Sequence, residues 1–405
     1  MVSDKIQCSL SLINLSRNRA KKKVLNSSMA RIEDQEPEED EPEEIHGDIL
    51  DVIFSHVPLI DLVAASRVCK SWCCMVKSSL RHLKKPKPWL ILHSQATRHP
   101  YNISMHAYDP RSHVWMKMVR PSSIKGMSSL KSSHSNFIYD LSSLKLSFSF
   151  DPLNLTWSHV YPPFGWRNDP IVARVGDFII VAGGGCEYGS DPLPVEIYNI
   201  RTGAWHMCDN MPGNLRDLPS SIYLSIATTN EKLFVTEKQS GLTYWFDLVI
   251  ECWSEPYSLN PGQPIVNYNI GTSNDHLVLV GLFKDDQNAE QLKIWKVVGE
   301  NFQFEEICEM PCVYVDKLKS KSSEISSVNA CVVGNFVFIY NPLEMEEIVM
   351  YELTTDDCCR WWSIQNVVAR DKMLTSRLVF SCSEISVDDL QRVMRSENRI
   401  FLVES

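Results

Sequence analysis

From Asp48 to Val57 the apolar residues fall at positions 49, 50, 53, 54 and 57, the spacing of one helical face, with Asp48 placed as an N-cap and Pro58 just beyond. A second helical segment follows over Leu59–Ser66. A third, over Val68–Val76, puts Val68, Trp72, Met75 and Val76 on one stripe. Three short helices bury little surface by themselves, so such a bundle needs a partner or a docked neighbour. After Lys84-Lys85-Pro86-Lys87-Pro88 the pattern changes to short β-rich apolar runs, beginning at Trp89, Phe178, Lys232, Leu277 and Phe336.

These runs belong to an internal repeat. An aromatic, six residues and a second aromatic recur as Tyr108–Trp115, Phe150–Trp157, Tyr198–Trp205, Phe246–Trp253 and Trp295–Phe302, with a longer sixth unit, Tyr351–Trp361. Position 109, 151, 199 or 247, just after the first aromatic, is Asp or Asn, as a tight turn prefers. Each unit reads as strand, loop, strand, tight turn, strand, and a repeat of about 40–50 residues built this way marks a β-propeller. The paired aromatics are core residues between blades. Six units predict six blades. The first unit lacks a strand before Leu90, which Ser376–Ser383 is expected to supply, because a propeller must close its ring. A helix is predicted over Val387–Met394, capped near Ser386.

The helical segment carries a recognisable pattern. Asp48, Leu50, Ile53, Phe54, Pro58-Leu59, Leu62 and the ending Val68-Cys69-Lys70-x-Trp72 resemble an F-box, as found in the large plant family of F-box/kelch-repeat proteins; the usual opening Leu-Pro is Ile45-His46 here. The repeat resembles a worn kelch repeat, keeping one glycine run at Gly183–Gly185 and a following Met-Pro at Met211-Pro212 and Met310-Pro311. The resemblance implies a mostly β chain. A six-bladed kelch-type β-propeller over 86–385 follows a three-helix F-box over 45–85 and a disordered, basic-then-acidic tail over 1–44, and a C-terminal helix and tail cover 386–405. It also implies that Ile45, Ile49, Leu50, Ile53, Pro58, Leu59, Leu62, Val68, Cys69 and Trp72 dock on a Skp-family adaptor, and through it on a cullin. The propeller would then hold a target protein of unknown identity for ubiquitination.

Composition narrows the alternatives. The formal charge is −10, and nine carboxylates crowd between Glu33 and Glu44, so the rest of the chain is close to neutral for its length and has no broad basic face for nucleic acid. No apolar run reaches the length of a membrane helix. The cysteines number 13, two pairs are adjacent and no C-x-x-C occurs, which predicts free thiols in a reducing compartment. The basic cluster Arg17–Lys23 reads as a nuclear import signal or as a solvated tail, and the expected location is nucleus and/or cytoplasm.

No catalytic residue, resident metal or cofactor is expected. Gly183–Gly185 is followed by a strand and not by a helix, so it lacks the aligned N–H row of a phosphate loop and reads as a tight blade turn. The scattered His93, His106, His113, His159, His206 and His276 leave one alternative open, in which the propeller is a scaffold or a kelch-type metalloenzyme and the helical bundle engages no adaptor. The longer polar stretches Cys186–Leu193, Lys284–Gln291 and Tyr314–Ser323 are the expected contact loops.

Overall fold

The computed structural model describes residues 47–82, 87–119, 127, 129–184, 194–284, 289–299, 302–353, 360–370, 376–395 and 399–404. The tail expected over 1–44 and the loop expected over Cys186–Leu193 lie outside the described residues. The chain forms two units. One is helical and takes in the chain to Pro86, together with Arg111–His113 and Ile385–Arg392; the other is formed by the sheets.

Six antiparallel sheets make the blades of a β-propeller. Five are continuous meanders over 130–160, 171–210, 224–258, 265–309 and 329–365. Their first strands, Leu130–His134, Ile171–Val175, Leu224–Thr228, Ile265–Ser273 and Asn329–Val333, neighbour one another in turn around the centre. The sixth sheet closes the ring as the missing strand required. Ser376–Ser383 pairs antiparallel along the whole of Trp89–Ala96, from Trp89 opposite Ser383 to Ala96 opposite Ser376. One strand was not expected. After the C-terminal helix Val387–Arg395, Ile400–Glu404 adds to the outer edge of this sheet beside Val114–Val119.

The core lies between blades. One cluster joins Ile180, Ile197 and Val195 of one sheet to Leu233, Val235 and Phe246 of the next. Another joins Val280, Leu292 and Ile294 to Val337, Ile339 and Val349. Each blade thus buries its apolar face only by stacking on its neighbour, which explains why the repeat was legible.

The recurring aromatics meet across the outer hairpin of a blade. Tyr108 lies opposite Trp115, Tyr198 opposite Trp205, Phe246 opposite Trp253 and Tyr351 opposite Trp361. Their ring centroids are 5.3, 5.2, 5.3 and 4.5 Å apart. Such cross-strand aromatic pairs are worth about 0.5–1.5 kcal/mol beyond their buried area. Trp115 also ties its blade to the preceding one, its indole N–H donating to the Gln365 carbonyl at 2.8 Å. The second and fifth units differ: Phe150 and Trp157 flank the paired strands Leu146–Ser149 and Ser158–Val160, where Phe148 faces Ser158, while Trp295 faces Glu306, and Phe302 sits in the turn and stacks on Tyr257.

Gly183 and Gly184 follow strand Phe178–Ala182 with φ of +64° and +70°. A Cβ on Gly184 would stand 2.7 Å from the Asn168 carbonyl oxygen, so the glycine is there for close backbone approach. Tyr314–Ser323 is not a plain loop: Cys312–Lys319 is a helix begun at Pro311, with Val315 and Leu318 buried.

The six histidines considered as a metal set do not converge. His93 and His106 are in the closing sheet, His159, His206 and His276 lie in three other blades, and His113 belongs to the helical unit. His93 is wholly buried, with its Nε2–H donating to the Pro152 carbonyl at 3.1 Å and Nδ1 facing no partner. Burial lowers its pKa from 6.5 to about 4, so the fold holds the ring neutral. The linked stability is complete above pH 6.5 and declines as pH falls through 4, by up to about 3 kcal/mol. Replacing His93 with Gln is expected to flatten melting temperature against pH over this interval; an unchanged profile would locate the acid sensitivity elsewhere.

Candidate functional site

Three helices build the candidate site: α1 (Gly47–His56), α2 (Leu59–Ala65) and α3 (Lys70–His82). Helix α1 begins two residues earlier than its N-cap pattern predicts, leaving Asp48 in the first turn, where an acidic group favours the helix dipole. Pro58 separates α1 from α2 and starts the second helix, its carbonyl accepting from the backbone N–H groups of Asp61 and Leu62 at 3.0 and 3.2 Å. Leu59, Leu62, Val63 and Ala65 are buried from α2. At the start of α3 the Cys69 sulfur accepts from the Trp72 backbone N–H at 3.4 Å, and the Trp72 ring packs edge-on against Phe54 with centroids 5.3 Å apart.

The C-terminal end of α1 is capped from a distant part of the chain. The Arg111 guanidinium donates to the Ser55 carbonyl at 3.0 Å and to the Phe54 carbonyl as well. These are carbonyls that a helix end leaves without an internal donor, and a cation there also suits the dipole. The same helical unit includes the beginning of the C-terminal helix, where Gln391 Nε2 donates to Ser66 Oγ at 3.1 Å and Leu390 is buried. That helix opens with a reciprocal cap: the Asp389 backbone N–H donates to Ser386 Oγ, and the Ser386 backbone N–H to Asp389 Oδ2.

Burial divides the ten residues that the sequence pattern put forward. Leu50, Pro58, Leu59 and Leu62 lie inside the bundle and hold the helices together. Ile53 and Trp72 are partly exposed. Ile49, Val68 and Cys69 are exposed, Ile49 at 53% and Val68 at 39%. Ile45 lies outside the described residues. Val52, which the pattern did not single out, is 62% exposed. It stands three residues from Ile49, so the two share one face of α1. That spacing was the available signal; it was obscured because 49, 50, 52, 53 and 54 are all apolar and the sequence does not say which side meets the bundle.

One group of metal-ligand type occurs among the described residues: His206, Cys208 and Glu251. His206 Nε2 is 2.9 Å from Glu251 Oε1, and the Cys208 thiol donates to Glu251 Oε2 at 3.2 Å. Desolvation and the neighbouring carboxylate push that thiol up to about 12, which keeps it a hydrogen-bond donor and not a thiolate.

A three-helix unit with apolar residues left facing outward, on a chain that continues into a six-bladed propeller, is the arrangement of an F-box protein. Residues 43–84 match the F-box domain family. Over 371 residues the chain is 38% identical to the F-box/kelch-repeat protein At1g23390 of Arabidopsis thaliana, spanning 88% of this chain and 94% of that one. The chain belongs to the F-box/kelch-repeat family. Among solved structures it is similar to a Bacteroides uniformis ATCC 8492 protein described as a candidate 6-phosphogluconolactonase, at 14% identity and a TM-score of 0.40 over 72% of this chain and 99% of that one. A likeness of that degree has no bearing on chemistry.

Proposed function

We propose that this protein is the substrate-recognition subunit of an SCF-type ubiquitin ligase, acting in the nucleus and/or cytoplasm. Its F-box docks on a Skp-family adaptor, and through it on a cullin, while the propeller holds a target protein. The chain itself performs no chemistry in this reading. Its work is proximity: two binding surfaces on one chain raise the local concentration of target lysines around a ubiquitin-conjugating enzyme. The observation that carries the reading is the outward apolar face of α1. Ile49 and Val52 are more than half exposed, although the opposite side of that helix buries Leu50 and Phe54.

The buried and exposed residues call for different experiments. Truncating Leu50 or Leu62 would loosen the bundle itself, so loss of binding would say little. Ile49→Asp with Val52→Asp changes only exposed positions and should leave the fold intact. Central apolar anchors typically cost about 2 kcal/mol or more each when lost, so the double variant should weaken adaptor capture by at least about 100-fold. The full chain is expected to co-purify with the adaptor in equal amounts, and a chain starting at Lys87 is expected to lose it. Equal capture by the folded double variant would remove this face from consideration, and failure of the full chain to bind would remove the ligase reading.

A further inference from the structure

The propeller encloses a central cavity of about 620 Å³ lined by the first strands of several blades. Its charged lining residues are Lys131, Asp169, Lys238 and Arg377, three bases and one acid. The single acid is already engaged. Asp169 takes the Lys131 ammonium, the Ser221 hydroxyl at 2.6 Å and the Ser221 backbone N–H at 2.9 Å, and these donors hold its carboxyl below the usual range against the cost of burial. Lys238 and Arg377 are therefore left over, giving an excess of positive charge inside a chain whose net charge is −10.

Lys238 is the unusual one. It follows strand Lys232–Glu237 and is 9% exposed. Its backbone is pinned on both sides: its N–H donates to the Tyr223 carbonyl and its carbonyl accepts from the Tyr268 N–H, each at 2.8 Å. The side chain is thereby sent toward the sheet two blades on, where the ammonium donates to Asn329 Oδ1 at 2.8 Å. That acceptor is neutral, and no carboxylate pairs with Lys238 among the described residues. Burial accordingly holds its pKa down at about 8. A cation buried this far with only an amide for company is costly to the fold, and such a cost persists where a ligand supplies the missing charge. Arg377, on the closing strand, donates to Ser129 Oγ at 2.6 Å and is otherwise exposed.

We propose that this cavity binds the carboxylate of an acidic side chain from an extended peptide segment, with Lys238 as its charged anchor and Arg377 as a second cation on the cavity wall. A peptide is favoured over a free organic acid by the segment that brings Asp169 to the cavity. It also carries Tyr161, Phe164 and Trp166 largely exposed, and exposed aromatics of this kind are the usual anchors of protein interfaces. The proposal rests on the receptor reading, since it names the chemistry by which the propeller would recognise its target.

The test uses the full chain without adaptor, so its outcome is independent of F-box docking. The probes are a fluorescein-labelled peptide, acetyl-Gly-Glu-Gly-Glu-Gly-amide with a labelled lysine at its end, its Gln counterpart, and glutarate as the free side-chain mimic. Saturable binding of the Glu peptide is expected, with at least a tenfold preference over the Gln peptide. Lys238→Met, which keeps the volume and removes the charge, should weaken binding by about 10- to 100-fold, the worth of one charge-assisted hydrogen bond. An unchanged melting temperature would show that the variant is folded. Glutarate binding as tightly as the peptide, and equally lost in Lys238→Met, would keep the carboxylate site but overturn the peptide as its source. Equal affinity for Glu and Gln peptides, no effect of Lys238→Met, or no saturable binding of any probe below about 10 mM would each overturn the proposal.

Discussion

A chain ended after Arg370 is expected not to fold its propeller, whereas one ended after Arg395 is expected to melt close to the full chain. The two differ by the closing strand and by the C-terminal helix, and most of that helix belongs to the helical unit, so what the propeller loses is the strand. Ser376–Ser383 is hydrogen-bonded over its whole length to Trp89–Ala96, in which Trp89, Leu90, Ile91 and Leu92 are buried. It also reaches the blade on its other side, where the Cys382 N–H donates to the Ser135 carbonyl at 3.0 Å. Phe380 stacks on Tyr340 with ring centroids 3.8 Å apart. Removing this strand exposes a row of unpaired backbone groups and strips the cover from an apolar strand. Two buried side chains, Val379 and Phe380, already account for about 1.5–3 kcal/mol each, and eight residues of lost pairing come in addition. The total approaches the ~5–15 kcal/mol by which a typical domain is stable. Ile400–Glu404, by contrast, is an outer-edge strand with Ile400, Leu402 and Val403 more than half exposed, so its loss should cost little. Soluble yield and a cooperative melting transition distinguish the two truncations. A cooperative melt in the chain ended after Arg370 would show that the ring does not depend on closure.

The reasons why the closing strand could be read in the sequence also explain what could not. A propeller repeats one supersecondary unit, so four of the six blades place a cross-strand aromatic pair at the outer hairpin, and a first unit with too few strands must borrow one. Both constraints leave marks at fixed spacing. Ile400–Glu404 leaves none: it follows no turn signal and extends an edge that was already complete. The helix Cys312–Lys319 was hidden because its lysines and the serines after it read as a solvated loop, although Pro311 and the buried pair Val315 and Leu318 fit a short amphipathic helix. In the F-box, helical spacing located the helices but not which of their apolar residues turn inward. Which apolar residues of α1 are core and which are free depends on where α2 and α3 pack. The cavity was the least legible feature, since Lys131, Asp169, Lys238 and Arg377 are far apart in the chain and only the closed ring brings them to one cavity.

Replacing Arg167 with Met is expected to destabilise the propeller by about 3–5 kcal/mol, the usual penalty for breaking one side of a buried ion pair. Arg167 and Glu196 have almost no exposed side-chain surface and meet at 2.9 Å. The guanidinium also donates to the Gly183 carbonyl at 3.0 Å and to that of Pro194, while Glu196 accepts from the backbone N–H groups of Phe164 and Gly165. Burial lowers the arginine's pKa and Glu196 works against that shift, so the pair survives as two charges because each is surrounded by partners. Methionine would leave a carboxylate without its counter-charge and two carbonyls without donors. Removing both charges is a different matter. Arg167→Met with Glu196→Leu replaces the pair by apolar packing and should recover much of the loss, and the strong coupling between the two sites is what a double-mutant cycle on urea unfolding would measure. The pair also has a consequence for recognition. Its bonds to residues 164 and 165 fix the segment that presents Tyr161, Phe164 and Trp166 outward and then carries Asp169 to the cavity. In the double variant those backbone N–H groups lose their acceptor even if stability returns. Glu-peptide binding should therefore remain impaired where the melting temperature is restored, and full recovery of both would mean that the ion pair serves stability alone.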